Sequence, residues 1–321
     1  MPHRSGRRAG RARSPSDRGR GRRASPLCKG TRAHLADTLK LLVAESEPQE
    51  ARDKRRQATG RSSGESFAET LRSIVPEARL DLYKPAEPGG PPRELESYDG
   101  VFLAGSPLHV YRDNHEVRAN VAFLRAVFAA GVPSFGSCAG LHVAAVAAGG
   151  TVRRNPEGHE VGFARRIVPT ADGARHPLLD GRPAAYDAVA VHGDEVESLP
   201  AAGAVLLSGN AASAVQAAEI RFGAGVFWGV QYHPEIPLDE LAQAIRRQAE
   251  GLVARGLARD AAAVEEQAAL VEALGREPER LDLAWRLGVD REITETGRRR
   301  VELGNFIRHL VNPTRSRRGR A

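Results

Sequence analysis

The chain has 321 residues, 41% of them hydrophobic, which is enough for a real core, and carries 47 Lys+Arg against 40 Asp+Glu for a formal net charge of +7. Its two cysteines, Cys28 and Cys138, make neither a disulfide framework nor a metal-knuckle spacing, so a reducing cytoplasm is expected and no metal. No apolar run approaches ~18 residues, which argues against a membrane-spanning helix.

The charge sits in the tails. Residues 1–30 hold ten basic side chains against the single acid Asp17, and residues 312–321 hold four arginines and no acid. The body between them is mildly acidic, so nucleic acid is not the expected partner. Residues 1–33 have almost no apolar content and are read as a disordered basic extension, because a segment that buries nothing cannot offset its ordering entropy. Lysine occurs only at positions 29, 40, 54 and 84, an arginine bias that fits a GC-rich gene and favours a passive extension over a nucleic-acid arm.

Strand patterns fall at 39–44, 79–83, 98–104 and 132–135. Between them, a charged helix runs to Thr59, and a second runs from an N-cap at Ser66 through Ile74 to a stop at Pro76. The Ser62–Ser66 run reads as loop and cap rather than ligand contact. A third, amphipathic helix covers 116–130 with Val117, Val121, Leu124 and Phe128 on one face. Alternating strand and helix predicts an α/β fold: a three-layer, mostly parallel sheet with helices on both faces and ligands off the strand carboxyl ends. After Gly149-Gly150 come short strands at 151–153, 161–163, 164–168, 185–191, 205–207, 214–220 and 226–231. Helical spacing then holds over 238–256, 261–274, about 279–287 and 290–311, and 312–321 reads as a disordered basic tail. The chain lacks G-x-x-x-x-G-K-[ST], and no cofactor is expected.

The chemistry concentrates at Gly136-Ser137-Cys138-Ala139-Gly140, where a strand turns into a small-residue helix. This is a nucleophile elbow with cysteine in place of serine. The turn strains the central residue, and the helix N-terminus favours thiolate. A cysteine nucleophile needs a base and a group to orient that base. His233-Pro234-Glu235, at the end of a late strand, offers both.

Four segments in order, Leu103-Ala104-Gly105-Ser106-Pro107, Gly136 to His142, Ala190-Val191-His192-Gly193-Asp194-Glu195-Val196 and Gly229 to Glu235, resemble the motifs of a class I, triad-type glutamine amidotransferase domain. The likeness is strongest to the amidotransferase part of GMP synthetase and its stand-alone relatives, and covers about 38–240. It implies a flavodoxin-like three-layer fold, glutamine as substrate, Cys138 as nucleophile, His233 as base and then acid, and Glu235 as its orienter. Water then cleaves a γ-glutamyl thioester. It also implies that the N–H groups of Gly105 and Ala139 hold the oxyanion, a contribution of about 3–4 kcal/mol per donor. His142 would lie near the substrate amide, and the backbone at Val191 and His192 would hold the amino-acid end.

Ser106 stands where the family often has a second glycine, and the segment 46–65 is a long charged insertion. The synthetase half of GMP synthetase is absent, and residues 241–311 read as a helical C-terminal extension instead. The leading expectation is therefore a stand-alone amidotransferase passing ammonia to an unidentified acceptor on a separate synthetase or ligase subunit. The alternatives are a γ-glutamyl amide or peptide hydrolase using the same triad, and a non-enzymatic interaction protein on this scaffold.

Overall fold

The computed structural model describes residues 38–320, so the expected disordered extension over 1–33 lies outside the described residues. The first half winds as alternation predicts. β1 (Lys40–Ala44), β2 (Arg79–Tyr83), β3 (Gly100–Leu103) and β4 (Ser134–Ser137) are joined through α1 (Gln49–Thr59), α2 (Ser63–Ile74) and α3 (His115–Ala129). α4 (Ala139–Ala147) leaves β4 directly at Cys138. β1, β3 and β4 are buried nearly throughout, as befits parallel strands covered on both faces, whereas β2 is partly exposed at the sheet edge. Ser62, not Ser66, caps α2. Its side chain accepts from the Glu65 N–H while Glu65 reaches back to the Ser62 N–H, a complete capping box that starts the helix four residues early.

The second half supplies β5 (Thr151–Arg154), β6 (Glu160–Pro169), β7 (Tyr186–His192), β8 (Asp194–Ser198), β9 (Ala204–Gly209), β10 (Ala217–Phe222) and β11 (Gly225–Val230). A nine-stranded sheet has the order β2-β1-β3-β4-β11-β10-β9-β6-β7. Pairing is parallel from β2 to β11 and antiparallel from β11 to β7, so the α/β fold carries a mixed sheet. The two strands expected at 161–163 and 164–168 are one bent strand. Arg166 takes φ 51° and the register slips between Ala164 and Ile167, a bulge that breaks the alternation by which strands are read. β8 was not expected. It pairs with β5 in a separate two-stranded sheet.

The C-terminal region is helical but broken: α5 (Leu238–Arg247), α6 (Ala249–Ala254), α7 (Ala261–Arg276), α8 (Leu281–Leu287), α9 (Arg291–Thr294), α10 (Thr296–Arg299), α11 (Val301–Phe306), a π turn over Ile307–Val311, and α12 (Asn312–Arg317). The single helices expected over 238–256 and 290–311 are interrupted; the second breaks where Glu295 leaves helical backbone at ψ 115°. Of the tail expected to be disordered, the described residues 312–320 begin with a helix and contact the body. Arg315 and Arg320 lie 3.8 and 3.6 Å from the buried Asp99, and Arg318 donates to the Gly131 carbonyl at 2.6 Å. Charge counting along the sequence could not see these acceptors.

Three apolar clusters hold the layers together. α3 and α4 cover one sheet face, with Leu103, Leu124, Val127, Leu141 and Phe227. α2 and residues 303–311 cover the other, where Phe306 meets Phe102 at 5.2 Å, Phe135 at 5.6 Å and Trp228 at 6.0 Å between ring centroids. α5, α7 and α8 pack with Phe163 and Val189 in the third. Among the described residues no helix is long and apolar enough to cross a membrane.

Candidate active site

The elbow forms because two glycines leave room for it. A Cβ on Gly136 would come within 2.8 Å of the Gly140 backbone, and one on Gly140 within 2.7 Å of the Leu103 carbonyl. Neither approach is tolerable, so the strand, turn and helix pack this closely only with glycine at both positions. Cys138 between them takes φ 49°, ψ −110°, a conformation that side-chain-bearing residues rarely adopt. Its N–H is spent on the Val230 carbonyl at 2.8 Å, which ties the elbow to the end of β11. Strain held by surrounding structure in this way marks functional sites.

His233 and Glu235 follow β11 and meet the elbow. His233 Nδ1 lies 2.7 Å from Glu235 Oε1, and the His233 N–H is fixed by the Val189 carbonyl at 2.7 Å. Both side chains are buried. Burial alone would strip the proton from His233, but the Glu235 charge, with hydrogen bonds donated to Cys138 and Glu235, outweighs it and lifts the pKa to about 10. With Nδ1 committed to the carboxylate, Nε2 is left for the sulfur. The loop after β3 closes on the pair: a Cβ on Gly105 would sit 2.6 Å from His233 Cε1 and 3.7 Å from Cys138 Cβ, so only glycine fits there. Ser106, at the family's second glycine, turns its hydroxyl to the Leu108 N–H at 3.3 Å and closes the loop.

The structure brings together all eight expected site residues. Ala139 is the first residue of α4, so its N–H has no acceptor within the helix and is open to an anion. His142, on the same helix, places Nε2 2.8 Å from Gln231 Oε1, and its Nδ1 has no partner among the described residues. Burial, opposed by the Gln231 hydrogen bond, brings its pKa down to about 4, so the ring is neutral. The Val191 carbonyl is 4.0 Å from Cys138 Sγ. The His192 side chain faces Glu160 at 2.8 Å, which leaves the backbone of this segment to line the cavity.

Several residues of the site escaped sequence reasoning. Ser137 Oγ donates to Glu235 Oε1 at 2.8 Å, so the residue before Cys138 holds the carboxylate behind His233. It stood within a quoted motif, and its place beside the elbow was the available signal. Glu160 has no local signal. It reaches His192 through the antiparallel register of β6 and β7, and also accepts from Asn210 at 2.7 Å and Gln216 at 2.6 Å. Asp194 accepts from His109 at 2.6 Å and ties the Gly105 loop to β8. Ser63 and Ser66, read from sequence as loop and cap, line the cavity.

These groups open into a cavity of about 670 Å³ at the carboxyl ends of β1, β3, β4 and β11. That volume is in the range that takes drug-sized ligands. A thiol nucleophile, a base oriented by a buried carboxylate and free N–H donors beside it are the parts needed for acyl transfer from an amide.

Residues 65–249 match the family described as glutamine amidotransferase class-I. The chain is 32% identical over 287 residues to a γ-glutamyl-L-1-hydroxyisopropylamide hydrolase of a Pseudomonas species, covering 88% of this chain and 96% of that one. It is 35% identical over 147 residues to one subunit of the glutamine-hydrolysing GMP synthase of Methanoculleus marisnigri, covering 46% of this chain and 71% of that one. In fold it is similar to a glutamine amidotransferase of Thermotoga maritima, with a TM-score of 0.55 at 18% identity over 85% of this chain and 98% of that one.

Proposed function

The chain belongs to the class-I glutamine amidotransferase family, whose members cleave amide bonds, and we propose that it is a hydrolase of γ-glutamyl amides working through Cys138, His233 and Glu235. The observation that carries the chemistry is the Glu235–His233 pair at 2.7 Å beside a cysteine in a strained elbow. His233 Nε2 holds the proton of the Cys138 thiol, as its raised pKa favours, and the sulfur attacks the γ-carboxamide carbon. The N–H groups of Gly105 and Ala139 receive the oxyanion. The imidazolium returns its proton to the departing amine as the C–N bond breaks, leaving a γ-glutamyl thioester. Water, deprotonated by His233, then releases glutamate and the thiol.

The choice of substrate is supported by extent of similarity. The γ-glutamyl amide hydrolase of Pseudomonas matches over nearly its full length and over 88% of this chain. The cavity also has room for a substituent on the amide nitrogen. A second reading keeps glutamine as substrate and passes ammonia to a separate synthetase subunit, supported by the similarity to a single GMP synthase subunit. It ranks second because that match spans under half of this chain.

Steady-state assays with γ-glutamylethylamide and glutamine separate the two. Turnover of the substituted amide by the purified chain alone, with a γ-glutamyl adduct on Cys138 seen by mass spectrometry, is expected. Cys138→Ala should lower kcat roughly a thousandfold or more. A variant that kept its activity would remove Cys138 from the mechanism, and turnover of glutamine alone would favour the second reading.

A further inference from the structure

The mouth of the cavity carries arginines that the fold does not use. Arg112, Arg154 and Arg247 line it, and among the described residues none makes an ion pair or a side-chain hydrogen bond. Arg255, beside them, reaches only the Gly251 carbonyl at 2.9 Å. Elsewhere some surface arginines are paired, as Arg165 with Asp187 and Arg246 with Glu265 and Glu272, so the mouth is set apart by the clustering of its arginines. The cations at the mouth are also crowded. Partial desolvation and the neighbouring Arg55 push the Arg247 pKa down, against the opposing charges of Glu47 and Glu240. Burial together with Arg255 and Arg154 does the same to His159. The carboxylates that line the cavity are largely engaged: Glu235 with His233, Asp194 with His109, and Glu240 with Arg55 and Ser66.

The opening continues outward. A second cavity of about 490 Å³ shares Arg154, His159 and Arg255 with the first and runs along residues 154–159. The path leading away from Cys138 is therefore lined by more basic than acidic side chains: in the second cavity Glu157 alone stands against Arg154 and Arg255. A neutral leaving amine would leave these charges uncompensated, whereas an anionic one would relieve their mutual repulsion.

We propose that the substrates are γ-glutamyl amides whose amine half carries an anionic group, as in γ-glutamyl dipeptides, and that Arg154 and Arg247 hold that group at the cavity mouth. The inference rests on the γ-glutamyl amide hydrolase reading above. Individual exposed charge contacts are weak, so specificity comes from several acting together.

The test compares kcat/KM of the full chain for γ-glutamylglycine, γ-glutamyl-aminomethylphosphonate and the neutral γ-glutamylethylamide. The anionic substrates are expected to lead by about tenfold or more. The lead should shrink in about 1 M salt, where screening acts within about 3 Å. The carboxylate and phosphonate arms show which anion fits. Arg154→Gln combined with Arg247→Gln should bring the anionic-to-neutral ratio close to one. An equal or reversed ratio in the natural chain overturns the proposal. So does a double variant that slows both substrates alike, since the arginines would then serve the glutamyl half or the fold. Cleavage of glutamine with all three substituted amides inert identifies a failure of the hydrolase reading itself, and the proposal falls with it.

Discussion

At the scale of single residues, the site is a set of buried polar groups whose neighbours decide what each can do. Ser137 is buried, and its hydroxyl gives Glu235 Oε1 a second hydrogen bond beside that from His233. Hydrogen bonds to a charged acceptor contribute about 1.5–3 kcal/mol. Ser137→Ala is therefore expected to let the carboxylate turn and lower kcat by roughly tenfold or more, with KM within about twofold, because the hydroxyl does not line the cavity. Equal losses in kcat and kcat/KM, read from steady-state kinetics, would agree; a pure rise in KM would not. His142 makes a pH prediction. Its native pKa of about 4 lies below the 6.5 of an exposed histidine, so the unfolded chain binds the extra proton first. Its contribution is intact above pH 6.5 and is lost as pH falls toward 4. Between pH 7 and 5 the linkage amounts to roughly 2 kcal/mol. His142→Gln should therefore lose about that much less stability than the natural chain across this interval in urea melts. Parallel losses would mean that other groups carry the acid sensitivity.

At the scale of elements, what was legible in the sequence was whatever is written locally. Apolar runs mark β1, β3 and β4, since a strand buried on both faces has no polar alternation to hide it. The elbow and the His233-Pro234-Glu235 turn are legible because their residue types and spacing are the chemistry. Partners chosen across the sheet were not legible. Glu160 meets His192 only because β6 and β7 pair in that register, and β8 exists because β5 gives it a ladder. The N-cap of α2 was misplaced because three serines compete within five residues, and Glu65, three after Ser62, decides among them. The ordered α12 shows the same limit: four arginines in ten residues look like a solvated tail until a buried Asp99 and the ends of β3 and α3 are brought beside them.

At the scale of the whole molecule, the helices after residue 240 are part of the structure that holds the His233-Pro234-Glu235 turn. Arg182, just before β7, donates to Glu302 of α11 through Nε at 2.7 Å and Nη2 at 2.9 Å, and to Glu292 of α9 through Nη1 at 2.7 Å. All three side chains are essentially inaccessible to water. Burial would strip the guanidinium of its proton, but the Glu302 charge and hydrogen bonds, with Tyr232 and Tyr186 nearby, keep its pKa above the ordinary arginine value. Glu302 Oε1 also accepts from the Tyr232 hydroxyl at 2.7 Å, and Tyr232 is the residue before His233. The C-terminal helices thus reach His233, the proposed base, through one tyrosine. Removing one member of such a group strands the others: in Arg182→Met, two carboxylates remain in the interior with their main cation gone. The expected cost is about 3–5 kcal/mol. Part of it should appear as lost activity before unfolding, because a displaced Tyr232 moves His233. Urea melts followed together by fluorescence and by amide hydrolysis test this. Activity is expected to fall at lower urea than the global transition in the variant, and with it in the natural chain. A variant as stable as the natural chain would show the cluster to be dispensable, and coincident transitions in both would confine its role to stability.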